Sequence, residues 1–165
     1  MNRRIIFTVS AIAAMGLGLL PTSIAAQQGT LKQQLVGTWM LVSCEVPANI
    51  TRQPYCTNPS GSLSLDASGR YTQVLAARGR PKATTSPNDR ADVKAEEYKA
   101  IAQGVIAQFG TWSSNEADKA LMTHIDGALF PNVEGTDQRV SVSLTGDEMR
   151  TVAASGTTFA WRRTK

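Results

Sequence analysis

Short apolar runs, each cut off by a turn signal, follow one another from Gly37 to the end of the chain. A helical bundle needs longer periodic stretches, so this cadence points to a sheet built from consecutive hairpins. The first strand is expected over residues 37–46 and the second over 61–65, where Leu63 and Leu65 alternate with Ser62 and Ser64. Asp66-Ala67-Ser68-Gly69 turns the chain into a third strand, residues 70–76, with Gly69 supplying the positive φ of a tight connection. Residues 78–92, rich in Arg, Lys, Pro, Thr, Ser and Asn, have no period and read as a long loop. A helix follows: Asp92 is placed as its cap, Glu96 and Glu97 suit its positive end, and Tyr98, Ile101, Ala102, Val105, Ile106 and Phe109 recur on one face over about four turns.

Strands resume at 111–114 and 120–126, joined by a turn at 115–118, and a loop occupies 127–136. The last third is regular: Val140, Val142 and Leu144 alternate with polar residues, 145–147 turn the chain, 148–154 return, Ser155-Gly156 turn it again, and 157–163 close. The fold class is therefore all-β, with eight strands and one helix inserted between strands 3 and 4. An open antiparallel sheet of this size exposes two edges, whereas an eight-stranded up-and-down barrel has none and leaves room for one small ligand. The helix is expected to cap one mouth or lie along the wall. Leu35-Val36-Gly37-Thr38-Trp39 is echoed by Gln108-Phe109-Gly110-Thr111-Trp112. Glycine at the start of a strand and a tryptophan plugging a barrel end account for both.

The first 26 residues stand apart. Arg3 and Arg4, an apolar run over residues 5–20, Pro21, and small residues up to Ala26 read as a secretory signal, cleaved after Ala25 or Ala26. The apolar run falls short of the ~20 residues that span a bilayer, so no stable membrane anchor is expected after cleavage, and the location is periplasmic or extracellular. Residues 27–165 then form one domain. Removing Arg3 and Arg4 lowers the formal charge from +4 to +2, which takes away the basic excess a nucleic-acid partner would need.

The two cysteines of the chain, Cys44 and Cys56, fall in the exported part, and an oxidising compartment makes a bridge between them the simplest reading. One His and two Cys offer no metal-ligand spacing, and no Gly-rich phosphate loop or serine elbow occurs, so neither metal nor cofactor is expected.

Gly37-Thr38-Trp39 near the start, with Trp161-Arg162 on the closing strand, resembles the lipocalin superfamily. The fuller resemblance is to the lipocalin-like domain family of bacteria and fungi. It runs through Leu35–Trp39, Asn58-Pro59-Ser60-Gly61, Glu96-Glu97-Tyr98-Lys99-Ala100, Phe109-Gly110-Thr111-Trp112, His124-Ile125-Asp126-Gly127-Ala128-Leu129-Phe130-Pro131-Asn132 and Gly135-Thr136-Asp137-Gln138, in the family's order. The resemblance implies a calyx-type barrel and a small hydrophobic or amphipathic ligand inside it. The cysteine pair departs from the usual pattern.

His124, the only histidine, and Asp126 two residues on are the candidates for acid–base work, while Tyr71, His124, Phe130, Asn132 and Asp137 are the candidate ligand contacts. A bland alternative has His124 holding the 127–136 loop, and Asn132 and Asp137 bonding nearby backbone. Arg78, Arg80, Lys82 and Arg90 offer a site for an anion or read as a solvated loop, and the tryptophans with Phe130 line a cavity or plug the core. Three functions follow: a binding protein holding a small molecule; a cofactor-independent isomerase, cyclase or hydratase using His124; and a ligand-free envelope module with a packed barrel. The interior volume and the direction of His124 distinguish them.

Overall fold

The strand cadence closes on itself. The computed structural model describes residues 29–50, 53–86 and 88–165, so the expected signal over 1–26 lies outside the described residues. Eight strands run β1 Gly37–Glu45, β2 Pro59–Leu65, β3 Arg70–Ala77, β4 Val105–Asn115, β5 Ala120–Ala128, β6 Asp137–Thr145, β7 Glu148–Val152 and β8 Thr158–Arg163. Each pairs antiparallel with its sequence neighbour, and β8 returns to β1 to close an up-and-down barrel. Alternation sets the walls: Tyr71, Gln73 and Leu75 of β3 face inward, while Arg70, Thr72 and Val74 face out. In the β2–β3 hairpin Gly69 has a φ of 91°, the left-handed conformation the turn needs.

Two bulges bend the wall. In β1 the register slips between Leu41 and Ser43, leaving Val42 extra and exposed. Between β4 and β5 the slip places Gly110 opposite Ile125 and Phe109 opposite Gly127, with Asp126 the extra residue. A Cβ on Gly110 would stand 1.9 Å from the His124 carbonyl oxygen, so only glycine permits this close approach. Gly110 therefore works in the middle of β4, not at a strand start as its echo of Gly37 suggested.

One end is sealed. A five-residue helix absent from the sequence reading, α1 Leu31–Leu35, buries Leu31 and Leu35 beneath the barrel. Thr30 and Gln33 form a reciprocal capping box at its start, a signature already present in Thr30-Leu31-Lys32-Gln33. Trp39 Nε1 donates to the Leu35 carbonyl at 2.9 Å, and the Arg163 guanidinium lies 4.1 Å from the Trp39 ring centre. Arg163 also donates to the carbonyls of Val36 (2.6 Å) and Gln34 (2.5 Å), and Trp112 Nε1 donates to that of Asp66 at 3.0 Å.

The second helix is shorter than its periodicity predicts. α2 spans Ala95–Ala102, with Lys94 and not Asp92 at its N-cap, and it buries no side chain. Val105, Ile106 and Phe109, expected on its apolar face, belong to β4. Around Phe109 the same residues satisfy a period of two, with Ile106, Gln108, Gly110 and Trp112 inward. Gly104 and the β-branched pair Val105-Ile106 favour the strand. α2 lies between β3 and β4 at the end of the barrel opposite α1.

Candidate ligand cavity

Four connections meet at this second end: residues 46–58, 78–104, 129–136 and 153–157. The first is tied down by the Cys44–Cys56 disulfide, whose Cα atoms are 5.2 Å apart. The bridge holds a 3-10 turn, Pro54–Cys56, against the mouth, and Tyr55 within it packs against the buried core. Burial pushes the Tyr55 phenol above its ordinary pKa.

The barrel is packed solid in its sealed half and hollow in the other. An interior cavity of about 450 Å³ is walled by Leu63, Ile106, Leu121, Val140, Phe159 and Trp161, with Gln73, Gln108, Thr123 and the charged Asp137 and Arg139 among its polar members. Trp161 is fixed by donating from Nε1 to Thr151 Oγ1 at 3.0 Å. Outside lies a vestibule of about 600 Å³, where Pro54, Ala102, Val105, Leu129, Phe130 and Val133 give a largely apolar surface. Tyr55, Ile106, Gln108 and Gln138 line both spaces and form the throat between them. Volumes of this order are those of small-molecule sites.

The residues singled out in the sequence separate into two groups. Phe130, 66% exposed, lines the vestibule. Tyr71 is buried beneath the cavity, its hydroxyl beside Thr123 without a hydrogen bond of good geometry. Burial raises its pKa, the Thr123 contact opposes this, and the Asp126 charge adds to the rise. Trp39 and Trp112 plug the sealed end, whereas Trp161 lines the cavity.

Of the polar residues of β5 and beyond, His124 and Asp126 lie on the outer wall, whereas Asp137, at the start of β6, is exposed but also lines the interior cavity beside Gln138 and Arg139. His124 and Asp137 are directly opposed across β5 and β6, and His124 Nδ1 is 2.8 Å from Asp137 Oδ1, with side chains 46% and 78% exposed. Asp126, expected to orient His124, instead pairs with Arg70 at 2.8 Å, because the bulge carries it toward β3. Asn132 is exposed in a 3-10 turn, Pro131–Val133. The structure thus brings His124 together with Asp137, and leaves Asp126 and Asn132 apart from them. Of the loop cations, Arg80 donates from Nε to the Ala77 carbonyl at 3.1 Å. Sequence reasoning missed Tyr55, the throat glutamines Gln108 and Gln138, and Gln73 of the cavity wall. The inward phase of Gln73 and Gln138 was readable from strand alternation, and Tyr55 adjoins a cysteine.

A barrel sealed by a helix and two tryptophans at one end, and open at the other onto an apolar cavity, defines a calyx-shaped protein of the lipocalin type. Residues 36–164 match the lipocalin-like domain, and the chain belongs to that family. An uncharacterized protein from Bacteroides eggerthii has a crystal structure resembling it at 12% identity and a TM-score of 0.43, covering 78% of this chain and 98% of that one. No curated protein matches the chain.

Proposed function

We propose that the protein is exported and holds a small apolar or amphipathic molecule in its barrel. The observation that carries the reading is the hollow open half: an interior cavity of about 450 Å³ joined through a throat to an apolar vestibule. Burying a ligand's apolar surface there contributes roughly 25 cal/mol per Å² before the costs of immobilising it. Export is supported by the basic start, apolar run and small residues over 1–26, and by the Cys44–Cys56 bridge. The rival enzyme reading draws no support from His124, whose side chain is 46% exposed on the outer wall and lines no part of the interior cavity. A packed, ligand-free module draws none from the open half.

The test is uptake of N-phenyl-1-naphthylamine, a neutral apolar dye whose fluorescence rises out of water. Val140 lines the cavity, and Val140→Trp fills it from the wall. Wild-type protein is expected to take up the dye, and the variant to bind it at least about ten-fold more weakly, a difference of ~1.4 kcal/mol. Equal binding by a folded variant would place the dye elsewhere and remove the barrel from the function.

A further inference from the structure

The rim of the open end presents large apolar side chains to water. Phe130 is 66% exposed and Leu129 50%, and both stand at the vestibule. The backbone around them holds them there. The Leu129 amide donates to the Ala107 carbonyl at 2.7 Å, the Val133 amide to the Phe130 carbonyl at 3.2 Å, and the Ala128 amide to Glu134 Oε1 at 2.9 Å. The apolar surface continues down the adjoining outer wall: Val74 pairs with Ala107 across β3 and β4, and Phe109, two residues on, lays its ring against Gly127. Val74 and Phe109 are exposed as well. Fixed apolar side chains grouped in this way at one end of a molecule mark a contact surface.

Charge is divided along the barrel axis. By sequence, the four connections at the open end hold seven cations against five acids, and the segment 78–88 carries Arg78, Arg80 and Lys82 with no acid. Two of the five acids are engaged within the fold, Glu97 by the Thr84 amide and hydroxyl and Glu134 by the Ala128 amide. Lys99 lines the vestibule together with Leu129 and Phe130. At the sealed end, the three turns and α1 hold Asp66, Glu116, Asp118 and Asp147 against Lys32 and Lys119. A negatively charged surface therefore attracts the mouth and repels the base, over a screening length of about 10 Å at 0.1 M salt. A bilayer accepts protruding Leu and Phe side chains without a matching shape, whereas a protein partner needs a complementary face. An apolar ligand dissolved in lipid then meets the vestibule without crossing water. We propose that the open rim docks on an anionic lipid surface, with Leu129 and Phe130 entering the interface and the mouth facing the bilayer. The proposal rests on the cavity reading only for what passes through the mouth, since docking itself needs no ligand.

The experiment is vesicle flotation of residues 27–165, which hold every described element and lack the apolar run over 5–20 that would bind lipid by itself. Vesicles of equal parts phosphatidylcholine and phosphatidylglycerol are expected to bind the protein at least about ten-fold more strongly than phosphatidylcholine alone, with the difference shrinking as salt is raised. The double variant Leu129→Ser, Phe130→Ser is expected to bind the mixed vesicles about ten-fold more weakly. Orientation is read from brominated phosphatidylcholine in the mixed vesicles. Phe130→Trp is expected to be quenched beyond the wild-type protein, and Met40→Trp, at an exposed position on the outer wall of β1, is not. That pair carries the test should the double variant not fold. No binding, equal binding to the two vesicle types, undiminished binding by a folded double variant, or equal quenching at positions 130 and 40 would overturn the docking and leave the cavity reading standing. Dimers that the double variant dissolves, formed by a chain that ignores vesicles, would assign the rim to a second copy and equally overturn it. Vesicle binding by a chain that takes up no N-phenyl-1-naphthylamine would instead overturn the cavity reading and leave the docking in place.

Discussion

Arg163 makes bonds that no other cation can duplicate: its two terminal nitrogens reach the carbonyls of Val36 and Gln34 while its plane covers Trp39. Lysine offers a point charge in place of a fork and a flat face, so Arg163→Lys is expected to lower stability by about 2 kcal/mol, read from the urea midpoint. Asp66 answers to pH. Its carboxylate accepts from the Arg70 backbone N–H (2.8 Å) and the Ser68 hydroxyl (2.7 Å), and these bonds hold its pKa below the ordinary aspartate value. The folded state therefore favours the charged form. That contribution is present in full above the unfolded pKa of about 3.9 and fades as pH falls through the lower folded value. Asp66→Asn is expected to flatten the acid side of a stability profile measured from pH 6 to pH 2, and an unchanged profile would remove the turn from acid unfolding. At this scale the sequence revealed types better than partners. His124 and the acids around it were visible, but its pairing with Asp137 depends on the β5–β6 register, and the turning away of Asp126 on the β4–β5 bulge where Gly110 meets the His124 carbonyl; no local pattern sets either.

Among the elements, the disulfide-tethered 3-10 turn shapes the mouth most directly. The bridge spans a sequence separation of 12, which limits its stabilisation to about 3 kcal/mol. Replacing both cysteines by serine is expected to cost about 2–3 kcal/mol in chemical denaturation and also to weaken dye uptake, because Tyr55 is no longer held at the throat. A stability loss with unchanged uptake would confine the bridge to a structural role. The hairpins were legible because alternation and glycine turns act within a few residues: the expected 120–126 and 148–154 strands correspond to Ala120–Ala128 and Glu148–Val152. α2 was overextended because the apolar residues from Tyr98 to Phe109 fit two periods, and the choice between them rests on pairing with β3 and β5, far away in sequence. Tyr55 escaped notice for a related reason. Its position is fixed by the bridge from the adjacent Cys56 to Cys44 and by packing on the core, and both partners lie outside its own segment.

For the whole molecule, the division into a filled half and a hollow half separates stability from binding. Trp39, Leu65, Trp112 and Met149 pack the filled half, while Val140 and Leu121 face the space. Ligand held by the native state alone stabilises it by mass action, about 2.7 kcal/mol at a hundred times Kd. The melting temperature of wild-type protein is accordingly expected to climb with added N-phenyl-1-naphthylamine, and that of Val140→Trp to stay level. The barrel as a class could be read from the number and spacing of hairpins. Its hollowness could not, since the same strands would also accommodate larger inward side chains.

The seam between β1 and β8 joins residues near the two ends of the described chain, with Trp39 opposite Arg163 and the Thr164 amide bonded to the Thr38 carbonyl. Contacts of that span are entropically the slowest to form. During synthesis the sheet thus carries two raw edges until β8 is available to pair, and the calyx exists only once that strand is in place. A calyx sealed by its first and last strands therefore has no folded half to fall back on: loss of β8 pairing reopens β1 and β7 together and empties the cavity.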